Sequence, residues 1–273
     1  MISGRRILYV VLSIGLIGFA GPFVWMLLSS FKPESELRRV PATWLPETVT
    51  LDNFRTIFTG LDFPTYFANS LVVATAVTLG NLALCSMLGY ALAKIDFPGR
   101  RALFLLVIGT LMIPAMVTFV PQFVLVSKFG LVNTYPGLAL PLLALAGPLG
   151  VFLMRQYIGE LPDELIDSAR IDGAGELQIF LRIIIPLSKP ALATLTIVTF
   201  LGAWNNFLIP LVMAQTEDMY TMPVALALYS VGQNSTHFGL LMAGAVVVVL
   251  PVLLIFVALQ RYFVQGIAMT GFK

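Results

Sequence analysis

Charged residues are scarce in this sequence. Asp, Glu, Lys and Arg together make up 11% of the 273 residues, whereas 58% of the residues are hydrophobic. Soluble domains average about 25% charged and about 45–50% apolar residues. The formal net charge of +2 is too small to indicate a polyanionic partner. The composition therefore excludes a nucleic-acid-binding protein and a disordered chain, and it predicts a protein that lies largely in a lipid bilayer.

Cysteine and histidine are almost absent. The one cysteine, Cys85, lies in an apolar run, which excludes a disulfide within the chain and a cysteine-based metal site. The one histidine is His237. Neither the nucleotide-binding pattern GxxxxGKS/T nor the metalloprotease pattern HExxH occurs, and no apolar run carries paired acidic residues. These absences argue against a membrane-embedded enzyme.

Long stretches without any charged residue indicate membrane helices. The charge-free runs are 7–30, 63–93, 102–127, 129–154, 191–216 and 219–260. A helix of about 20 apolar residues crosses a bilayer and satisfies its own backbone hydrogen bonds there. We therefore predict an all-α integral membrane protein with a single transmembrane domain over residues 1–273. Its six predicted helices are about 7–29, 68–93, 102–124, 137–154, 190–212 and 239–260.

The orientation of these helices follows from the basic residues. Arg5 and Arg6 precede the first run as in a signal peptide, but apolar residues continue through Trp25 and Leu28 without an Ala-x-Ala site, so we predict a retained helix. An N-terminus on the inner side places eleven Lys and Arg residues in inner segments and five in outer segments. The positive-inside rule then predicts that both termini are cytoplasmic.

No ion-coupling group lies within the predicted membrane helices. All fourteen acidic residues and all sixteen Lys and Arg residues fall outside these helices or at their edges. Proton- and ion-coupled carriers usually carry intramembrane Asp, Glu, His or Arg. A secondary transporter or channel is therefore the weaker alternative. A transporter without an ion relay or an ATP site takes its energy from a partner protein.

The inner segment 155–190 carries the most informative pattern. Pro162 suits a first helical turn, and two acidic residues follow it, where a helix N-terminus favours negative charge. Three residues at i, i+4 and i+7 share one face of this helix: Leu165, Ala169 and Asp172. A helix stop is predicted at Gly173, and a second helix is expected to end before Pro186. Taken alone, this helix–turn–helix is also compatible with a solvated amphipathic linker.

This segment resembles the coupling loop of the permease subunits of ATP-binding-cassette importers, which carry the pattern EAAxxDGAxxxxxFxxIxLP. The residues at the family spacing are Asp167, Ser168, Ala169, Asp172, Gly173, Ala174, Phe180, Ile183, Ile185 and Pro186. The chain departs from the pattern with Asp167 for Glu, Ser168 for Ala and Ile185 for Leu. The resemblance implies that these residues, together with Leu165, couple the chain to a cleft on a cytoplasmic ATPase.

Other stretches resemble the carbohydrate-importer permeases in particular. They are 94–100, 112–121, 130–134, 203–207 and 260–267. The resemblance covers nearly the whole chain and is strongest to the second permease of maltose-type and glycerol-phosphate-type importers. It implies the type I, MetI-like transmembrane fold and a bacterial-type inner membrane. A sugar is the expected solute, and a glycerol-phosphate derivative is the alternative.

The resemblance also implies a set of partners. A homologous second permease would complete a heterodimeric pore, and two copies of an ATP-binding subunit would carry ATP and magnesium beneath it. An extracytoplasmic solute-binding protein would deliver the solute. The chain itself is then expected to bind no cofactor or metal and to catalyse no reaction.

Polar residues within the predicted helices are candidates for the translocation path. They are Thr118, Gln122, Asn205 and Asn206. Asn205 and Asn206 are predicted at mid-helix in the fifth span, where one of them would form a stripe with Gly202 and Ile209; hydrogen bonding between helices is their alternative role. Asn81 is predicted to bond between helices and Trp204 to pack against other side chains.

The outer loop before the last helix has no basic residue. In maltose-type importers the corresponding loop reaches into the external binding protein. The resemblance implies contacts from Tyr220, Tyr229, Gln233 and Asn234, and a plain connecting loop is the alternative.

Overall fold

All regular elements are helical in the part of the chain that the structure describes. The computed structural model describes residues 2–60, 62–230 and 237–270, with side chains at 8–59, 62–228 and 237–260. The helices are α1 (Ile2–Ser30), α2 (Glu34–Leu37), α3 (Asp52–Arg55), α4 (Phe63–Lys94), α5 (Arg100–Gly109), α6 (Ala115–Lys128), α7 (Tyr135–Gly159), α8 (Asp163–Ile171), α9 (Glu176–Ile179), α10 (Ile185–Leu187), α11 (Lys189–Trp204), α12 (Leu208–Met213), α13 (Met222–Ser230) and α14 (Phe238–Thr270). Short π or 3₁₀ segments occupy Thr56–Gly60, Thr110–Met112, Phe180–Ile184 and Glu217–Met219. The predicted all-α fold is confirmed.

The described helices include four that are long and apolar enough to cross a bilayer. They are Leu8–Ser30, Phe63–Lys94, Tyr135–Gly159 and Phe238–Gln260. Two bent pairs meet the same criteria of length and composition: Arg100–Met112 with Ala115–Lys128, bent by 102°, and Glu176–Leu187 with Lys189–Trp204, bent by 79°. By length and composition the described helices thus give four spans, or up to six if each bent pair is counted as one, and six is the predicted number.

The bend in the third span is caused by Pro114. This residue has no N–H to donate, and its backbone is extended, with ψ of 131°. The chain therefore turns between Met112 and Ala115, as the proline predicts. Pro121 lies inside α6 without breaking it. In the fourth span, α7 continues through Pro141 and Pro148, because the buried face of this helix packs against neighbouring helices and offsets the two lost hydrogen bonds.

The fifth span is not the continuous helix that the sequence predicts. Helix α11 ends at Trp204, with Asn205 at its C-terminal cap, and α12 begins at Leu208. The side-chain oxygen of Asn206 accepts a hydrogen bond of 3.1 Å from the N–H of Ile209. Asparagine side chains compete with helix hydrogen bonds in this way, which breaks the helix. The placement of Asn205 and Asn206 at mid-helix, in one stripe with Gly202, was therefore wrong.

The helix after Gly173 also ends later than predicted. It continues past Pro186 to Leu187, through the π segment Phe180–Ile184. Pro186 lies in the first turn of α10, where a missing N–H costs little. The prediction that this helix ends before Pro186 was wrong. In the π segment the backbone hydrogen bonds change to the i→i+5 pattern ahead of the proline, so the helix continues through it.

The chain divides into two compact units, one formed by residues 1–66 and 222–251 and the other by 67–221 and 252–273. In the first unit a buried ion pair organises the outer segment after α1. Lys32 and Glu36 are 1% and 3% exposed, and their charged atoms lie 3.6 Å apart. Lys32 also donates to the backbone and hydroxyl oxygens of Thr43, and its ammonium lies 5.0 Å from the ring centre of Trp25.

The Glu36 carboxylate accepts hydrogen bonds that hold the following loop in place. Burial opposes its ionisation, but hydrogen bonds from the Thr43 hydroxyl and from the N–H groups of Glu47 and Thr48, with the nearby Lys32 charge, lower its pKa overall. The loop 43–48 is thus tied to α2 by charge-assisted hydrogen bonds.

In the second unit, α4, α7 and α11 pack closely. A Cβ at Gly150 would lie 2.6 Å from the sulfur of Cys85, so α7 approaches α4 where glycine leaves room. The Asn81 amide donates to Val77 O on its own helix and, at 3.5 Å, to Leu143 O on α7, which confirms its predicted interhelical bond. Trp204 is 1% exposed and stacks on Phe200, with ring centres 5.5 Å apart, as its predicted packing role requires.

We expect Glu36→Ala to lower the apparent unfolding temperature in detergent several times as much as Arg39→Ala. The first change leaves the Lys32 ammonium buried without its counterion. The second removes an exposed pair with Glu47 at 2.6 Å, and such pairs contribute about 0–1 kcal/mol. Because the pKa of Glu36 is lowered, its contribution is present above the ordinary glutamate pKa of about 4.3 and is lost as the pH falls further. Equal shifts for the two variants would contradict this role.

Candidate functional site

The inner segment forms the predicted helix–turn–helix. Helix α8 begins at Asp163, directly after Pro162, and Asp172 stands at its C-terminal cap. Gly173 has φ of +84°, a left-handed conformation that glycine adopts without strain. The N–H of Ala174 returns to the carbonyl of Ala169 at 2.9 Å and closes the helix end. The helix stop predicted at Asp172 and Gly173 is confirmed.

Helix α8 is anchored by one face and exposes the other. Ile166 is 2% exposed and enters a cluster that we call the inner core. Its buried members are Cys85, Tyr90, Leu92, Val151, Met154, Ile158, Ile166, Ile179, Phe180, Ile184, Ala191 and Leu195. On the other face Leu165 is 45% exposed and Ile171 is 87% exposed. Large apolar side chains on the exposed face of an anchored helix favour a partner surface.

The structure divides the predicted coupling residues into two groups. The exposed ones are Leu165, Asp167, Ser168, Asp172, Gly173 and Pro186. Ala169 and Ala174 are half-buried against the inner core, and Phe180 lies within it. The first group is available to a partner. The second holds the helix–turn–helix in place, so the shared face predicted for Leu165, Ala169 and Asp172 is not uniformly exposed.

Lys94 joins three elements at the start of α8. It is the last residue of α4, and its side chain is 5% exposed. Its ammonium donates to Asp163 Oδ1 at 2.6 Å, to Leu161 O at 2.6 Å and to Gly159 O at 3.4 Å. The hydrogen bond and the charge of Lys94 lower the pKa of Asp163, which stays ionised. In the sequence Lys94 stands only within a family stretch, and no local pattern indicates this role, because its acceptor Asp163 lies 69 positions away.

A second polar group fastens the other end of α8. The Tyr90 hydroxyl donates to Glu176 Oε2 at 2.5 Å, and Arg170 Nε donates to Glu176 Oε1 at 3.0 Å. Arg170 also reaches Asp167 at 3.5 Å. Arg170 and Glu176 flank the turn in the sequence and carry opposite charges, so this ion pair could be predicted from the sequence. Tyr90 lies 86 positions before Glu176, so no local pattern reveals it.

The four predicted path residues are not brought together. Gln122 donates to the hydroxyl of Thr118 at 3.4 Å, and both side chains are half-buried on α6. Asn206 lines a cavity of about 340 Å³ among α4, α7 and α11, whereas Asn205 is exposed. Among the described side chains of that cavity, only Asn206 and Thr199 are polar, and the Thr199 hydroxyl already donates to Leu195 O. This cavity is too apolar to satisfy the hydroxyls of a sugar.

Two asparagines hold the start of the outer loop. Asn69 on α4 donates to Asp218 O at 2.7 Å and to Tyr220 O at 2.9 Å, and it accepts from the Tyr135 hydroxyl. Asn133, at φ of 61°, accepts from the N–H of Gln215 at 2.8 Å. No local pattern in the sequence marks Asn69 as a loop anchor, because its acceptors lie about 150 positions away.

The predicted contacts of this loop are only partly described. The side chain of Tyr220 is half-buried. The side chain of Tyr229, and Gln233 and Asn234 as a whole, lie outside the described residues. Over the described part of the chain, no group of three His, Cys, Asp or Glu residues is placed to hold a metal ion.

Comparison with known proteins assigns this architecture. Residues 85–269 match the family of binding-protein-dependent transport system inner membrane components. The chain belongs to this family. It is a multi-pass membrane permease subunit, and ATP hydrolysis in these importers belongs to separate ATPase subunits. The predicted membership of the importer permeases is confirmed.

Relatives of the permease cover nearly all of it. It is 44% identical, over 258 residues, to the arabinooligosaccharides transport system permease protein AraQ of Halalkalibacterium halodurans, with 92% of this chain and 90% of that protein covered. It is 32% identical, over 254 residues, to the trehalose/maltose transport system permease protein MalG of Thermococcus litoralis, with 92% and 91% covered. The predicted likeness to maltose-type permeases is confirmed.

A solved structure has the same fold. It is the crystal structure of a bacterial ABC transporter involved in the import of the acidic polysaccharide alginate, and one of its chains matches this permease with a TM-score of 0.81 at 23% identity. The match covers 95% of this chain and 96% of that chain. The predicted type I, MetI-like transmembrane fold is confirmed.

We expect Gly173→Val to destabilise the turn by about 1–3 kcal/mol, because a β-branched residue is strained at positive φ. Gly173→Asn is expected to cost less, since asparagine adopts this conformation more readily. Gly175→Ala is the matched control: its φ is −75°, and an added Cβ meets no atom within 4 Å. Apparent unfolding temperatures of the three purified variants test the order. A Gly175→Ala loss as large as that of Gly173→Val would contradict it.

Proposed function

We propose that this permease forms one half of the translocation pore of an ATP-driven sugar importer, and that the exposed face of α8 with its turn docks into a cleft on a cytoplasmic ATPase subunit. The observation that carries the proposal is the two-sided character of α8. Ile166 fixes it to the inner core, while Leu165 and Ile171 are exposed beside the acidic Asp167 and Asp172. Exposed apolar side chains at such a position gain from burial against a partner.

The uneven distribution of Lys and Arg between the two sides of the membrane supports a cytoplasmic location for this site. Eleven of the sixteen Lys and Arg residues fall in the segments on the side of the N-terminus, which include 155–190. The positive-inside rule places that side in the cytoplasm, with both termini. The ATPase subunits therefore lie on the side where α8 is exposed, and ATP and magnesium bind to those subunits.

The apolar character of the cavity supports a second permease that completes the path. The cavity of about 340 Å³ is almost wholly apolar, and Thr118 and Gln122 lie apart from Asn206. A pore for a polar solute needs more hydrogen-bonding groups than this chain brings together. We propose a homologous second permease as the heterodimeric partner, two copies of the ATPase subunit, and an extracytoplasmic binding protein that contacts the outer loop from Tyr220 onward.

The mechanism is alternating access driven by the partner. Closure of the ATPases on ATP moves α8, and the inner core transmits that movement to the packed helices α4, α7 and α11 through its side chains. The pore opens outward to receive solute, and hydrolysis resets it. The permease contributes binding surfaces and rigid connections, and no bond of the solute is made or broken.

A neutral oligosaccharide is the proposed solute. The relative named above with the higher identity, 44%, is a permease of an arabinooligosaccharide transport system. The charge-free helices of this permease also offer no cation to a phosphate group. These two observations favour a neutral sugar over a glycerol-phosphate derivative.

We expect Asp167→Lys with Ile171→Glu to reduce binding-protein-stimulated ATP hydrolysis by at least about tenfold, as loss of interface hot spots does. The assay uses the permease reconstituted in nanodiscs with its second permease, ATPase and binding protein. Asp96→Lys is the matched control, because Asp96 is 96% exposed on the same side of the chain and loses only its pair with Arg100. Unchanged stimulation in the double variant would overturn the docking site.

The solute is tested in proteoliposomes of the same complex. Uptake of labelled arabinooligosaccharide or maltose, with no uptake of glycerol 3-phosphate, is the expected result. The reverse preference would contradict the proposed solute class and leave the docking site unaffected.

A further inference from the structure

Two residues on α4 connect to opposite ends of the exposed helix α8, Lys94 directly through Asp163 and Tyr90 through Glu176 of α9. Tyr90 and Lys94 are four positions apart, so they lie on the same face of α4, one turn from each other. Lys94 holds Asp163 at the start of α8, and Tyr90 holds Glu176, which in turn holds Arg170 in the last turn of α8. The two contacts therefore bracket the helix that is proposed to meet the ATPase.

Every N–H donor of the Lys94 ammonium has an oxygen acceptor nearby. An ammonium has three N–H donors, and the three oxygens that Lys94 contacts belong to Asp163, Leu161 and Gly159. Gly159 is the last residue of α7, where carbonyl groups lack helical partners, and Asp163 is the first residue of α8. One buried cation thus joins α4 to the end of α7 and the start of α8.

The Tyr90 contact reaches both arms of the helix–turn–helix. Glu176 lies in the first turn of α9, where a carboxylate is favoured, and Arg170 approaches it from the other side of the Gly173 turn. Tyr90 is 4% exposed, and its ring packs against Phe180 with centroids 5.7 Å apart. The ring fixes the direction of the hydroxyl, so the hydrogen bond to Glu176 has a defined geometry.

We propose that Tyr90 and Lys94 are positioning residues that fasten both ends of α8 to α4, so that α4 moves with α8 when the ATPases close. The proposal rests on the proposed docking of α8. Apolar contacts of Ile166 in α8 and Ile179 in α9 also hold the helix–turn–helix against the inner core, but such contacts are non-directional and do not by themselves set the rotation of α8. Two hydrogen-bonded contacts, one at each end, fix both the position and the rotation of α8 relative to α4.

The functional test measures solute taken up per ATP hydrolysed. Tyr90→Phe removes only the hydroxyl and keeps the ring in place, and Lys94→Gln removes the charge and one of the three donors. We expect each single variant to lower uptake per ATP, the double variant to lower it at least about fivefold, and Lys94→Arg to restore part of it. The amount of ATPase that co-purifies with the permease is expected to stay unchanged.

Matched controls remove the same groups nearby. Tyr157→Phe removes a hydroxyl that donates to Leu187 O at 3.3 Å, outside the α4 contacts, and Lys189→Gln removes an exposed lysine at the start of α11. Uptake per ATP within twofold of wild type in the double variant, or an equal loss in the controls, would overturn the proposal. A double variant that lowers the yield of assembled complex while uptake per ATP stays normal would also overturn it, since the contacts would then be structural only.

A second measurement does not depend on the ATPase. Spin labels on Leu79→Cys in α4 and Ser168→Cys in α8, with Cys85 replaced by serine, report the distance between the two helices in nanodiscs. Both labelled positions are exposed. A narrow distance distribution in the wild-type background that broadens in the Tyr90→Phe, Lys94→Gln variant supports the attachment, and an unchanged distribution overturns it. If the binding protein did not stimulate ATP hydrolysis by the wild-type complex, the proposed function would be contradicted. The distances between the labels would still test whether α8 is attached to α4.

Discussion

The backbone of a chain in lipid must satisfy its own hydrogen bonds, and the architecture of this permease follows from that constraint. Regular helices meet it over most of each span. After α11 a side chain supplies a missing partner, because Asn206 accepts from the N–H of Ile209. In the third span the break lies at Pro114, which has no N–H to donate. That break divides a long apolar stretch into two helices that meet at 102°.

The polar side chains are used mainly for attachment. Asn69 fixes the outer loop through two backbone carbonyls, and Lys94 and Tyr90 fix the ends of α8. In each case a residue of the long helix α4 contacts a segment far away in sequence. A helix that carries attachments near both of its ends is suited to relay displacement along its length, because a hydrogen-bonded helix is stiff over this distance.

The proposed docking surface is supported by other side chains of the same segment. Ala169, Ala174 and Phe180 fit the family pattern as well as Asp167 and Asp172 do, yet they face the inner core. The family pattern thus contains two kinds of residue. Some form the exposed face, and the small or aromatic ones pack that face against the inner core. Sequence similarity alone does not separate these two kinds, because each is a fixed residue at a fixed spacing.

The helical class, the apolar spans, the coupling segment and its turn at Gly173 could all be predicted from the sequence. These features depend on local composition and spacing: charge-free runs mark the spans, and Asp172 with Gly173 marks a helix end. The break at Asn205 and Asn206 could not be predicted, because asparagines within a span are compatible either with bonds between helices or with a break. The continuation through Pro186 was missed because a π segment changes the hydrogen-bond register without any reliable sequence signal.

The sequence by itself determined that the chain lies in a membrane as apolar helices, and which segment resembles a coupling loop. Only the tertiary structure decided which residues of that segment are exposed, that Tyr90 and Lys94 hold its two ends, and that the cavity beside Asn206 is apolar. The physical reason is the distance along the chain over which each effect acts. Composition and helical periodicity act over neighbouring residues, whereas burial and the hydrogen bonds from α4 to the helix–turn–helix join residues that are more than 60 positions apart in the chain.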